Sequence, residues 1–489
     1  MTDTEPRVRT RFEPSPSGSI HVGTAMIASF NWYLARKHGG TFVLRVADTD
    51  RSRVVPEGLR SVTEDLAWLG LDWDEGPEVG GPHAPYFQSE RVALYGEAAE
   101  KLLAGGHAYR CFCTPEELDA IRARQRAEKR PPRYEGRCRD LSDEQRVAFE
   151  AQGRSSVIRF RVPEGETTVT DLVRGEVTFR HADLDDFVIL RADGSALYQL
   201  AVSYDDMTMA VTRIIRGEDI FASTPKQVLL IRAMGGEPPL YGHAPLIVGP
   251  DRKPLSKRHG STAIGEFRHQ GFLPEVILNY LATLDWSIGD GTREKFTIPE
   301  LIEHFEPAQI TRNPSAFDHL KLEAWNGDRI RELPGEQLAA RIEAFLVREG
   351  VLADPVSAEQ RAVILTVTPL IQERMKRLDE APPQLRFFFH EPEPDERAAG
   401  MMTPEHAPTL EAAVRILEQL EPFEAAAIQE ALSGWAEEAG LKKKVAFQPI
   451  RAAVTGSLVS PPLFESLEIL GRERAIARLG RALARAQGS

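Results

Sequence analysis

A chain of 489 residues, 42% hydrophobic and 27% charged, is long enough for more than one domain with substantial cores, and no apolar run in it is long enough to span a bilayer. A net charge of −13 argues against nucleic-acid binding through an evenly spread field but leaves room for local basic patches. Three cysteines, all between residues 111 and 138, are too few for a disulfide framework, and the first residues lack the apolar core of a secretory signal, so the chain is expected in the cytoplasm.

Arg7–Phe12 alternates as a strand. Across Thr24–Lys37 the apolar positions are too widespread for one narrow stripe, which predicts a helix buried over much of its surface. His38-Gly39-Gly40 ends it, glycine suiting a left-handed cap. Thr41–Ala47 alternates again, and 57–69 reads as a helix stopping at Gly70. This strand–helix–strand order favours a right-handed crossover and a parallel sheet. Residues 111–200 carry the cysteines, a basic helix and short β-rich pieces at Ser156–Val162 and Thr167–Phe179, which predicts an inserted α+β subdomain. Residues 200–250 return to α/β character, with a strand ending over Ile214–Gly217 and a helix over Pro225–Met234. Residues 261–325 have a helical pattern. From about 326 strands vanish, and proline breaks at 381–383, 391–394, 403–407 and 461–462 divide a helical region into two small bundles.

Two segments carry chemistry. Arg11-Phe12-Glu13-Pro14-Ser15-Pro16-Ser17-Gly18 runs into His21-Val22-Gly23-Thr24 at the start of the first helix. The free N–H groups and positive dipole end of a helix start favour phosphate, His21 can donate to a phosphate oxygen, and Gly23 lets a flat ring approach the backbone. Far downstream, Leu255-Ser256-Lys257-Arg258 lies in a loop rich in Gly, Asp and Pro. A lysine there can neutralise charge on a triphosphate as it breaks. The strand–turn–helix order places the first segment where open α/β sheets bind ligands, outside the carboxyl ends of the strands.

These stretches resemble the class I aminoacyl-tRNA synthetases, and specifically the bacterial-type glutamyl-tRNA synthetases. His21-Val22-Gly23-Thr24 is similar to the family's HIGH signature and Leu255-Ser256-Lys257-Arg258 to its KMSKS loop. Phe30-Asn31-Trp32, Trp68 to Gly76, Arg216-Gly217-Glu218-Asp219, Gly271 to Glu275 and Thr455 to Phe464 extend the resemblance over nearly the whole chain.

The resemblance implies a Rossmann-type parallel-sheet catalytic domain (1–110 and 201–250) interrupted by an α+β acceptor-end subdomain (111–200). A KMSKS-type loop and stem-contact region (251–325) and an all-α anticodon-binding region of two subdomains (326–489) would follow. It implies ATP-dependent activation of L-glutamate, with Mg2+ accompanying ATP, and transfer of the glutamyl group to the 3′-terminal adenosine of tRNA(Glu) by a monomeric enzyme. His21, Gly23 and Lys257 would be catalytic. His21, Gly23, Thr24, Ser256, Lys257 and Arg258 would bind ATP, and Arg11, Glu13, Ser15, Tyr198 and Arg216 would bind glutamate. Arg374 would read the third anticodon base. Cys111, Cys113 and Cys138, with Tyr134 or Asp140 as fourth ligand, would hold zinc; three reduced thiols are the alternative. Rival readings are an enzyme that also charges tRNA(Gln), a glutaminyl-tRNA synthetase, disfavoured by Arg216, and a silent tRNA-binding paralogue.

Two departures from the family touch the glutamate pocket. The family shows alanine where this chain has Glu13, and glutamate where it has Ala47. Alternation places Arg11, Glu13 and Ser15 on one strand face. Either Glu13 supplies the carboxylate that Ala47 lacks, or it merely pairs with Arg11 or Arg45.

Overall fold

The computed structural model describes residues 7–49, 55, 57–288 and 291–488, excluding the side chain of Lys257. They form two compact units, residues 1–268 with 274–319, and 269–273 with 320–489.

In the first unit, β1 (Arg9–Phe12) pairs in parallel with β2 (Thr41–Leu44), in register from Arg9↔Thr41 to Phe12↔Leu44. Helix α1 (Val22–Lys37) makes the crossover. Its apolar positions are buried nearly all round, as the sequence predicts, because it packs on the sheet and against the helix Pro274–Asp285. Gly40 is required where the chain turns into β2: a Cβ there would sit 2.1 Å from the Val8 carbonyl oxygen. Buried Asn31 fixes α1 to the second half of the core, its amide donating to the Ile215 carbonyl (2.7 Å) and accepting from the Ile215 N–H (2.9 Å). Helices α2 (Gly58–Leu69) and α3 (Val92–Ala104) follow.

Strand β3 (Ala108–Cys111) opens a three-stranded antiparallel sheet with β4 (Val157–Phe160) and β7 (Val188–Leu190). Between β3 and β4 lie α4 (Pro115–Ala127) and α5 (Asp143–Ala151), each started by a capping box, from Thr114 and Ser142. The stretch expected as one β-rich piece at 167–179 is a hairpin, β5 (Glu166–Asp171) with β6 (Gly175–Arg180). It joins not β3–β4–β7 but the sheet containing β8 (Arg213–Gly217) and β9 (Leu240–Ala244), in the order β6-β5-β9-β8. Strands β8 and β9 are parallel, with Arg216 opposite His243. Helix α6 (Tyr198–Thr208) packs against α7 (Thr224–Ala233), α3 and β7, and α7 meets β5. β8 meets β1 through Thr212, whose N–H donates to the Arg9 carbonyl at 2.9 Å.

The second unit is helical, with no strand among its described residues, in agreement with the pattern from 326 onward. Buried Arg478 in the last helix, Arg472–Ala486, donates to the carbonyls of Phe387, His390 and Val454 at 2.8–2.9 Å. It thereby joins the helices on either side of the proline break at 391–394. No helix of the described residues is long and apolar enough to cross a membrane.

Candidate active site

A cleft of about 1420 Å³ opens in the first unit. Its walls include Arg11, Glu13, Ser15, His21, Gly23, Thr24, Ala47, Tyr198 and Arg216, so residues spread over 200 positions of sequence meet as the motifs imply. Pro254 and Leu255 also line it; Ser256 and Arg258 do not. The Ser256 N–H donates to His259 Nδ1 (3.2 Å), and exposed Arg258 pairs with Asp251 (3.0 Å). The side chain of Lys257 lies outside the described residues.

The His21 segment is held from two directions. Asp65 of α2 accepts from the Ser19 hydroxyl (2.6 Å) and the Ile20 N–H (3.0 Å). On the other side the Val22 N–H donates to the Thr262 carbonyl and the Ile264 N–H to the Ile20 carbonyl, both at 2.9 Å. The stretch just after the Ser256-Lys257-Arg258 loop is thus stitched to the start of α1. His21 is the N-cap but makes no side-chain capping bond. Burial lowers its pKa, with Glu266 opposing in part, so the ring is neutral at pH 7 and keeps an N–H to donate. Nothing in the protein demands glycine at 23: a Cβ would meet no atom within 4 Å, because the space beyond is the cleft itself.

Below this turn lies a buried charge network. Arg11 Nε donates to Asp206 Oδ1 (3.1 Å), and Arg45 Nη2 donates to both Asp206 Oδ1 (2.7 Å) and Glu13 Oε2 (2.8 Å). Arg91 Nε donates to Asp205 Oδ1 (2.7 Å), and Gln88 Nε2 donates to Glu13 Oε1 (2.7 Å). Three arginines thus face three carboxylates, Glu13, Asp205 and Asp206, and Ala47 adds none. Burial works against the Arg11 and Arg45 charges, but Asp206 and Glu13 outweigh it and both pKa values rise. Burial likewise opposes the Asp206 carboxylate, and Arg11 and Arg45 prevail to lower its pKa. Glu13 therefore both lines the cleft and pairs with Arg45. The adjacent acids Asp205 and Asp206, each fully buried, are site residues that the sequence analysis does not single out.

Arg216 is different. It is 2% exposed, yet no carboxylate contacts it among the described residues. Its Nε donates to His243 Nε2 (2.9 Å), Nη1 to Gln227 Oε1 (2.6 Å) and Nη2 to Thr224 Oγ1 (2.8 Å), all neutral acceptors. A guanidinium has five N–H groups. Three are used, which leaves one on each terminal nitrogen. Burial lowers its pKa. The Tyr198 ring, 42% exposed at the start of α6, lines the same cleft.

Cys111, Cys113 and Cys138 converge, their sulfurs all within 4.8 Å of one another and Cys113 Sγ 3.5 Å from Cys138 Sγ. These separations suit edges of a tetrahedral thiolate site, where zinc–sulfur bonds run to about 2.3 Å. Tyr134 Oη lies 3.4 Å from Cys111 Sγ. Asp140 does not join: its carboxylate is 79% exposed and pairs with Arg161 at 2.9 Å, so of the two fourth ligands expected only Tyr134 is at hand.

In the second unit, Arg374 borders a separate cleft of about 500 Å³ with Arg451, Ser460, Phe447 and Phe464. The two phenyl rings meet edge to face at 5.3 Å. Two guanidinium groups, Arg374 and Arg451, and the Glu465 carboxylate thus border apolar ring faces; burial, and then Arg374, lowers the Arg451 pKa, with Glu465 opposing.

The family described as tRNA synthetases class I (E and Q), catalytic domain, matches residues 7–324, and that of the anticodon binding domain matches 337–483. A glutamate–tRNA ligase of Nocardioides sp. is 44% identical over 99% of this chain and 100% of its own. One of Saccharopolyspora erythraea is 44% identical over 96% of this chain and 95% of its own. A crystal structure of a glutamate tRNA ligase from Elizabethkingia meningosepticum in complex with its amino acid superposes with a TM-score of 0.81 at 32% identity, covering 98% of this chain and 99% of that one. With a catalytic-domain match over residues 7–324 and relatives 44% identical over nearly the whole chain, the chain belongs to the class I tRNA synthetases of the glutamate and glutamine type.

Proposed function

We propose that this chain is a glutamate–tRNA ligase that activates L-glutamate with ATP and passes the glutamyl group to the 3′-terminal adenosine of tRNA(Glu). The observation that carries the choice of amino acid is Arg216, a buried guanidinium with two N–H groups unused and no carboxylate of the protein in contact. A desolvated cation of this kind is stable only when an anion completes it, and a substrate carboxylate fits its fork. A neutral amide would leave the charge uncompensated, which argues against glutamine.

In the first step a glutamate carboxylate oxygen attacks the α-phosphorus of ATP and pyrophosphate leaves. In the second a hydroxyl of the terminal adenosine attacks the glutamyl carbonyl and AMP leaves. Neither step needs an enzyme nucleophile. His21 would donate to phosphate, Gly23 and Thr24 would present first-turn N–H groups, and the adenine ring would lie over Gly23. Ser256, Lys257 and Arg258 would close on the triphosphate, with Mg2+ carried by ATP. Arg11, Ser15, Tyr198 and Arg216 would hold glutamate. Glu13 would receive its ammonium group, because a carboxylate oxygen that accepts one bond from Arg45 or Gln88 has a second lone pair.

In the remaining parts, 111–200 would meet the acceptor end, 251–325 the stem, and the 326–489 region the anticodon, with Arg374 favouring tRNA(Glu). Cys111, Cys113, Cys138 and Tyr134 would hold a zinc ion that braces the insert. We take the enzyme to work as a monomer in the cytoplasm, where ATP, glutamate and tRNA meet.

The test is transfer of labelled glutamate, and in parallel labelled glutamine, to separate glutamate and glutamine tRNAs. Glutamate on its own tRNA alone is expected. Transfer to both tRNAs would make the enzyme non-discriminating, and tRNA binding without transfer would favour the silent paralogue.

A further inference from the structure

Arg216 is held by a chain of contacts that begins two strands away. β8 carries Arg216, β9 carries His243 directly opposite it, and Asp171 ends β5, the next strand over. His243 Nδ1 lies 2.5 Å from Asp171 Oδ2, and His243 Nε2 accepts from Arg216 Nε at 2.9 Å. All three side chains are buried.

The tautomer follows from the partners. Arg216 can only donate, so Nε2 must be unprotonated and the ring proton must sit on Nδ1, aimed at the carboxylate. Asp171 Oδ1 accepts in turn from the Val173 and Arg174 N–H groups at 2.9 Å each. Burial opposes its charge, but His243 and these N–H groups outweigh burial and lower its pKa, so it is ionised and can fix the ring. The Phe221 ring packs edge-on against the imidazole at 4.9 Å, and the Tyr241 ring lies under the guanidinium at 4.4 Å. The imidazole thus stands between the carboxylate and the guanidinium. A direct ion pair with Asp171 would occupy and neutralise Arg216; a neutral ring orients it without taking its charge.

We propose that Asp171 and His243 are positioning residues that hold Arg216 in the one orientation presenting its two unused N–H groups to the substrate carboxylate. The inference rests on the reading of Arg216 as the glutamate-binding guanidinium, and it gives Arg216's neighbours a role that neither sequence motif suggests.

The test compares KM for glutamate, ATP and tRNA in charging assays, together with melting temperature. His243→Leu is expected to raise the glutamate KM by about tenfold to a hundredfold, the worth of a hydrogen bond to a charged group. The ATP and tRNA KM values stay within about threefold, since the change is local. His243→Gln, whose side-chain oxygen again accepts from Arg216, recovers most of the loss, and Asp171→Asn lies between. A wild-type glutamate KM in His243→Leu, or all three KM values rising together, overturns the proposal. Where His243→Leu does not fold, a wild-type glutamate KM in Asp171→Asn overturns it equally. Arg216→Met separates the two levels: no change in glutamate KM refutes the substrate role itself, whereas a large rise without any effect of His243→Leu refutes only the positioning pair.

Discussion

The Glu13 carboxylate lies 2.8 Å from Arg45 Nη2 across the carboxyl ends of two parallel strands, and Ala47, two residues beyond Arg45, hydrogen-bonds through its N–H to the Pro14 carbonyl at 3.0 Å. The buried charges around this pair match three to three.

Glu13→Ala therefore leaves three buried arginines facing two carboxylates, Asp205 and Asp206, and removes the proposed ammonium acceptor. Breaking a buried pair costs about 3–5 kcal/mol. The expected result is a lower melting temperature and a glutamate KM raised at least about tenfold. Adding Ala47→Glu should recover much of both. A Glu13→Ala enzyme with wild-type glutamate KM would rule out the substrate role and leave Glu13 as a partner of Arg45 alone.

Zinc is expected at about one equivalent in protein purified without chelator. Cys138→Ser should release it and loosen the insert. Less than about a tenth of an equivalent bound would mean three reduced thiols instead. Asp140→Ala should leave the metal content unchanged, since its carboxylate is engaged by Arg161 away from the sulfurs.

Asp285, at the end of its helix, is buried with neither carboxylate oxygen hydrogen-bonded among the described residues, and the nearby Ser315 hydroxyl donates to the Leu284 carbonyl (2.6 Å). Burial, with Glu218 adding, pushes its pKa from the ordinary 3.8 up to about 7. The folded state then binds this proton more tightly than the unfolded chain. Its contribution to stability is complete below about pH 4 and is lost as pH rises through about 7. Asp285→Asn should gain on the wild type by roughly 2–4 kcal/mol between pH 4 and pH 8. Melting curves at the two pH values check this; a difference that does not change with pH would refute it.

Arg374→Ala should raise the tRNA(Glu) KM about tenfold and narrow the preference over tRNA(Gln), because a good base-edge contact is worth about 1–3 kcal/mol. Glutamate KM should not move. Loss of glutamate binding in this variant would show that the helical unit acts on the amino-acid site as well.

Local chemistry was legible from residues alone: α1 through its apolar breadth, and the helix-start turn through its prolines and glycines. The second-unit helices were legible through their spacing and proline breaks. What stayed hidden depends on which strands become neighbours. Asp171 lies in a hairpin that reads as part of the insert, yet β5 pairs with β9 and delivers its carboxylate to His243. Asp205 and Asp206 look like ordinary helix-surface acids until α6 is seen to be buried against three arginines. Asp140 and Tyr134 were equal candidates by spacing; Arg161 decided between them by engaging the aspartate.

The bonds that tie Ile20 and Val22 to Thr262 and Ile264 carry a consequence for synthesis. The His21 turn precedes its second wall by about 240 residues of chain, some ten to fifty seconds of synthesis at about 5–20 residues per second. Through that interval the growing chain holds the signature residues without a finished cleft. The cleft proposed for ATP is thus closed only once Thr262 and Ile264 have been made, and a product truncated before Thr262 would lack the partners that hold the turn.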